Sequence, residues 1–174
     1  HYYEGNKEHA DFVNEASKIL GLEGNLKITK GYLTFTNELD DDTYDVVLLL
    51  NVLHHLGDDY GDQSFSLTKA KENIIKQLNS MAAKADLMIF QMGFNWKGDT
   101  NTCLFENGTK EELISFIEAG IKDHWVVLEI AVAEREGELI TYKKLNDKNI
   151  ERDNSLGEFL NRPVFILKSK QWNI

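Results

Sequence analysis

Residues 44–56 read Tyr-Asp-Val-Val-Leu-Leu-Leu-Asn-Val-Leu-His-His-Leu, and no other stretch constrains the fold as much. From Val46 to Leu50 every residue is apolar, with no polar residue alternating. Such a run is too short for a membrane span, which needs about 18 or more apolar residues. It fits a strand buried on both faces, as in a parallel sheet covered by helices. Where the run stops, Asn51, His54 and His55 follow at once. Open α/β sheets place their ligands at the carboxyl ends of strands, so these three residues are the first candidates for a site. Asn51 offers a carbonyl and an amide, suited to the carboxylate or ammonium of an amino-acid-like ligand. His54 and His55 each offer a base near neutral pH.

The rest of the chain supplies elements around that strand. Val13, Ala16 and Leu20, flanked by Phe12 and Ile19, predict a helix over Ala10–Leu20 that stops at Gly21. Leu26 and Ile28 alternate with polar neighbours, predicting a strand over Leu26–Lys30 that turns at Gly31. Leu67, Ala70, Ile74, Leu78 and Met81 recur at helical spacing between about Ser66 and Lys84 and lead into a second apolar strand, Leu87–Met92. Thr109-x-x-Glu112 is a capping-box pattern that starts a helix ending near Gly120. A β-rich run from His124 to Ala133, an extra strand near Glu138–Tyr142, a helical piece at Ser155–Leu160 and a strand at Val164–Lys168 complete the order. Pro163 precedes the last strand, where its missing N–H does least harm. The expected fold class is α/β, a mainly parallel sheet with helices on both faces and an antiparallel C-terminal edge. At 174 residues, without repeat or linker, the chain reads as a single domain.

Charge narrows the partners. The chain carries 19 Lys and Arg against 29 Asp and Glu, a formal charge of −10. Nucleic acids and anionic membranes are held chiefly by Lys and Arg, so neither is an expected partner. The window from Glu38 to Asp62 holds Glu38, Asp40, Asp41, Asp42, Asp45, Asp58, Asp59 and Asp62 and no Lys or Arg. Asp58, Asp59 and Asp62 follow the proposed site, which argues against a phosphate-rich acceptor at its mouth. The one cysteine, Cys103, excludes an intrachain disulfide framework and fits a reducing cytoplasm, the expected location. Nothing in the composition decides between a monomer and a homo-oligomer.

Taken with the element order, the stretch from Tyr44-Asp45 through His54-His55-Leu56 resembles the fourth strand of class I S-adenosylmethionine-dependent methyltransferases: an aromatic, an Asp, several aliphatics, then a short polar segment often ending in His-His-aliphatic. The resemblance implies a Rossmann-like methyltransferase fold with S-adenosyl-L-methionine as cofactor and an O or N nucleophile of a small molecule or saccharide as acceptor. It implies that Asn51, Gly31, Tyr32 and Leu33 line the cofactor site and that His54 or His55 removes the acceptor's proton. In the family the third strand is frequently followed by an acid against the adenine amine; Gly31-Tyr32-Leu33 stands there, with Tyr32 able to stack on the purine. The family's first strand ends in a glycine-rich loop and its second in an acid that binds the ribose hydroxyls. Neither is read here, so by the resemblance the first β-α-β unit is lacking. Those two strands are internal to the family's sheet, which leaves an interrupted sheet unless a neighbouring chain fills the gap. Gln91, Phe94, Asn95 and Trp96 end the next strand and are expected on the same rim, as a substrate wall. Arg162-Pro163-Val164-Phe165 looks like the tail of some bacterial methyltransferases that modify surface polysaccharide.

Two other functions compete. A methyltransferase-like domain without cofactor would serve as an interaction module, in keeping with the unread glycine loop. A metal-dependent hydrolase would use His54, His55 and Asp58 as ligands, a spacing that matches no established metal motif, so no metal is expected.

Overall fold

The computed structural model describes residues 1–33, 35 and 42–172. Glu38, Asp40 and Asp41 of the acidic window lie outside them. The chain is mixed α/β. Strand β1 (Tyr2–Glu4), helix α1 (Lys7–Ile19) and strand β2 (Ile28–Lys30) form one unit, in which β1 and β2 pair in parallel. Strand β3 (Tyr44–Leu50), helix α2 (Leu67–Ser80), strand β4 (Ala85–Gln91), helix α3 (Lys110–Ile121), strands β5 (Trp125–Glu136) and β6 (Leu139–Lys144), the short helix α4 (Gly157–Leu160) and strand β7 (Val164–Ser169) follow. The second sheet has five strands in the order β3-β4-β7-β5-β6.

Local chemistry accounts for most boundaries. Asn6 caps α1 by accepting from the amides of Glu8 and His9, so the helix begins three residues before the apolar periodicity shows it. The capping box at the start of α3 is complete: the Thr109 side chain accepts from the Glu112 amide while the Glu112 carboxylate accepts from the Thr109 amide. Between β5 and β6 the chain reverses at Gly137, whose φ of +64° suits glycine.

The sheet corrects three expectations. Only β3 and β4 pair in parallel in the five-stranded sheet; β4–β7, β7–β5 and β5–β6 are antiparallel, so the sheet is mostly antiparallel. The last strand is not the edge either. β7 lies between β4 and β5, and the hairpin strand β6 takes the edge. The helices do not cover both faces. Helices α2 and α3 lie against the face bearing Leu49, Met88, Phe90, Phe165 and Leu167, and Trp125 Nε1 of β5 donates to the Leu78 carbonyl of α2 at 3.2 Å. On the other face Val46, Leu48 and Leu50 are exposed. The unbroken apolar run of β3 therefore reflects a strand buried on one face only.

The sequence also missed β1 altogether. Three residues are too few for alternation to register, yet the aromatic pair Tyr2-Tyr3 ahead of Gly5 and a capping Asn6 is a strand–turn–helix sequence. With β1–β2 in one sheet and β3 at the edge of the other, the β-structure falls into two parts separated by a cleft.

Candidate functional site

That cleft, about 700 Å³, has β1 and the turn after β2 on one side and β3 with the segment after it on the other. Tyr2 to Gly5, Gly31, Tyr32 and Leu33 face Leu50, Asn51, Val52, His55, Asp59 and Tyr60 across it. Gly31, with φ at the extended end of +156°, turns the chain from β2 so that Tyr32 lies over Gly5; a Cβ on Gly5 would come within 2.3 Å of the Tyr32 ring. Gly5 thus has room for that ring only because it has no side chain. Tyr32 is 47% exposed and nearly parallel to Tyr60, with ring centroids 6.3 Å apart. Four residues assigned from the resemblance, Gly31, Tyr32, Leu33 and Asn51, and one of the two histidines, His55, therefore line a single cavity, although 17 residues of chain lie between Leu33 and Asn51.

The two histidines part company. A one-turn 3₁₀ helix over Leu53–His55 sets their rings against each other at a tilt of 48°, centroids 4.3 Å apart, and sends only His55 into the cleft. His55 Nδ1 lies 3.3 Å from a carboxylate oxygen of Asp59. His54 is 1% exposed, and neither ring nitrogen has a hydrogen-bond partner. Burial, then His55 and Arg162 beside it, push His54 down to about 3, so it is neutral at any working pH. A base that is buried and unable to hold a proton does not serve the acceptor; of the expected pair, His55 is the one placed to act.

Asn51 lies at the cleft with φ of +60°, a left-handed conformation that Asn tolerates. Its side chain is already engaged. Nδ2 donates to Gln91 Oε1 at 2.9 Å, and Oδ1 accepts from Arg162 Nη1 at 2.6 Å. Gln91 Nε2 in turn donates to the Arg162 carbonyl, and the remaining Arg162 donors go to Glu158. The arrangement locks the ends of β3, β4 and the approach to β7 together, and leaves the Asn51 amide less available to a ligand than its position suggested.

The residues expected as a substrate wall stand apart from the cleft. Gln91, Phe94 and Trp96 are buried and Asn95 is half-buried, and none of them lines the cleft. Trp96 Nε1 donates to the Leu56 carbonyl at 2.7 Å, and Phe94 lies beneath the Arg152 guanidinium. Gly93 leaves room for His54 and Arg162, which a Cβ there would meet at 2.9 and 3.1 Å. These residues support the rim from below.

Two acids join the site that sequence reasoning did not assign. Glu4 ends β1 at the cleft, where its carboxylate accepts from the Asn6 amide at 2.9 Å and the Tyr2 hydroxyl at 2.8 Å. The Asn6 amide bond, chiefly, holds its carboxyl below the usual range. Asp59 is the other, and the spacing His55-x-x-x-Asp59 was its available signal. Burial first, then the carboxylates of Asp59, Glu4 and Asp58, raise the Tyr32 hydroxyl, a mark of how acidic this corner is. His55, Asp58 and Asp59 each bring one ligand atom within 4.8 Å of the others, a set able to hold a divalent ion; His54, expected among such ligands, is not part of it. Among the described residues no helix is long and apolar enough to cross a membrane. Set against protein-family models and curated proteins, the chain matches none.

Proposed function

We propose that the chain is a class I methyltransferase domain that binds S-adenosyl-L-methionine in the cleft and passes its methyl group to an O or N nucleophile of a small molecule or saccharide. One observation carries the reading. Glu4, Gly31-Tyr32-Leu33, Asn51 and His55, from three separate strand ends, converge on a single cavity. Glu4 ends a strand just ahead of the strand bearing Gly31, the place where the resemblance implies an acid for the ribose hydroxyls. The lining fits the cofactor in other respects: Tyr32 offers a half-exposed ring for the purine, and among the described residues the lining holds no Lys or Arg, as suits a ligand with no phosphate.

S-adenosyl-L-methionine supplies an already activated methyl group, so the protein's work is to align, exclude water and move a proton. His55, with Nδ1 3.3 Å from an Asp59 carboxylate oxygen but without a hydrogen bond to it, is the residue placed to take the acceptor's proton. Leu50, Val52 and Leu33 give the cleft apolar walls. Calorimetric titration of the chain with S-adenosyl-L-methionine tests the reading: a Kd tighter than about 100 μM is expected. No heat at that concentration contradicts it.

The interaction-module reading draws on the same cleft, whose β3 side bears Val46, Leu48 and Leu50, 50%, 64% and 43% exposed. It predicts no cofactor binding, so the same titration separates the two.

A further inference from the structure

We infer that Asn107 is a deamidation site of this chain and that the Glu112 carboxylate keeps it unreacted while the start of α3 is closed; the inference is independent of the methyltransferase reading. Asn107-Gly108 is the one Asn-Gly pair in the sequence. Glycine has no side chain to crowd the ring that forms when its nitrogen turns back on the preceding side chain. Asn107 is exposed, whereas Gly108 is buried with φ of +62°. The Glu112 carboxylate accepts from the Asn107 backbone amide at 3.0 Å, from Asn107 Nδ2 at 3.0 Å and from the Thr109 amide at 3.2 Å. The Gly108 amide also hydrogen-bonds to it. From the other side Arg152 Nη1 donates to the Gly108 carbonyl at 2.9 Å. Nucleophile and leaving group are thus both held by one side chain, the same one that closes the capping box of α3.

The reaction needs only water and its hydroxide. The Gly108 nitrogen gives its proton to hydroxide and attacks Asn107 Cγ, the Cγ–Nδ2 bond breaks, and Nδ2 leaves as ammonia. Water then opens the five-membered imide to aspartate or, through the main-chain carbonyl, to isoaspartate. Glu112 opposes the first step twice. Its hydrogen bond covers the Gly108 N–H, and its negative charge makes that proton harder to remove. Attack therefore waits for the turn before α3 to open, a local event that does not require global unfolding. Once it has happened the contact reverses sign. The Nδ2 donor has become a carboxylate facing that of Glu112, and the isoaspartate route adds a methylene to the main chain just ahead of the cap. Helix α3, which brings Leu113, Ile114, Ile117 and Ile121 into the core, then lacks a closed first turn.

The test is peptide mass mapping of the chain aged at pH 8, once folded in buffer and once unfolded in guanidinium. The tryptic peptide from Gly98 to Lys110 also holds Asn101, followed by Thr102, as an internal reference. Conversion at Asn107 is expected to be about tenfold slower, or more, in the folded chain than in the unfolded one. Glu112→Gln keeps a side chain that can close the capping box but removes the charge, and is expected to speed conversion of the folded chain about fivefold. Glu112→Ala, which removes the box as well, is expected to speed it further. The isolated deamidated chain is expected to melt about 3 °C below the parent. Equal rates in the folded and unfolded chain, or no conversion at Asn107 in the unfolded chain, overturns the inference. An unchanged folded rate in Glu112→Gln overturns the part given to the Glu112 charge, and a deamidated chain that melts with the parent overturns the consequence drawn for α3.

Discussion

One histidine, His54, is expected to take about 1.4 kcal/mol per pH unit from the unfolding free energy between pH 6 and pH 4.5, and His54→Leu is expected to remove that contribution. His54 is buried without a hydrogen-bond partner on either nitrogen and is pushed down to about 3. In the unfolded chain it titrates at about 6.5. The folded value lies below the unfolded one, so below pH 6.5 the unfolded state takes up the proton first. Stability is complete above pH 6.5 and is lost as pH falls toward 3, by roughly 5 kcal/mol over the whole window. Glutamates held low in the fold, Glu4 and Glu112, add their own losses as pH falls toward 4.5, and Asp62, Asp99 and Asp153 follow at lower pH, so the slope belongs to the histidine above about pH 5.5. Leucine fills similar space and leaves no polar atom unpaired, so His54→Leu should be as stable as the parent at pH 7, or more so. Urea unfolding at pH 7, 6, 5 and 4.5 reads the slope; an unchanged slope in His54→Leu contradicts the account.

Arg162→Met is expected to destabilise the protein by about 3 kcal/mol. The guanidinium side chain is only 12% exposed and supplies donors to Asn51 Oδ1 and both Glu158 oxygens. Its loss leaves a partly buried carboxylate and an amide oxygen without their donor, which costs more than the pair contributes when intact. Arg162→Lys keeps the charge but not the planar fork, so it should recover part of the loss and no more. Chemical denaturation of the three proteins at pH 7 measures both. A loss below about 0.5 kcal/mol for Arg162→Met, the range of ordinary surface substitutions, contradicts the role given to this network.

What the sequence disclosed follows from what is local. The capping box at Thr109, the stripe of Leu67, Ala70, Ile74 and Leu78 and the apolar run of β3 are all read within a turn or a strand, and each became the expected element. Strand partners depend on residues far apart. Nothing near Val164 says that β7 enters between β4 and β5, and nothing near Asn51 says that Arg162, 111 residues later, will occupy its side chain. The aromatic residues after β4 are ambiguous in sequence, because a Trp or Phe past a strand end suits either a ligand wall or the core. Leu56, whose carbonyl takes the Trp96 N–H, decides for the core. Gly31, Tyr32 and Leu33 reached the cleft through the resemblance rather than through any chemistry of their own. Glu4 escaped notice because its strand is three residues long.

The proposed methyltransferase function requires the cleft between β1 and β3 to hold S-adenosyl-L-methionine. Amide chemical-shift mapping by NMR, with the cofactor titrated into the ¹⁵N-labelled chain, tests it most directly. The account predicts shifts at Glu4 and Gly5, at Gly31 to Leu33 and at Asn51 to His55, with Asn95 to Gly98 and the residues of α3 unmoved. Shifts confined to α3 or to β5 and β6, or no shifts at saturating cofactor, would contradict it.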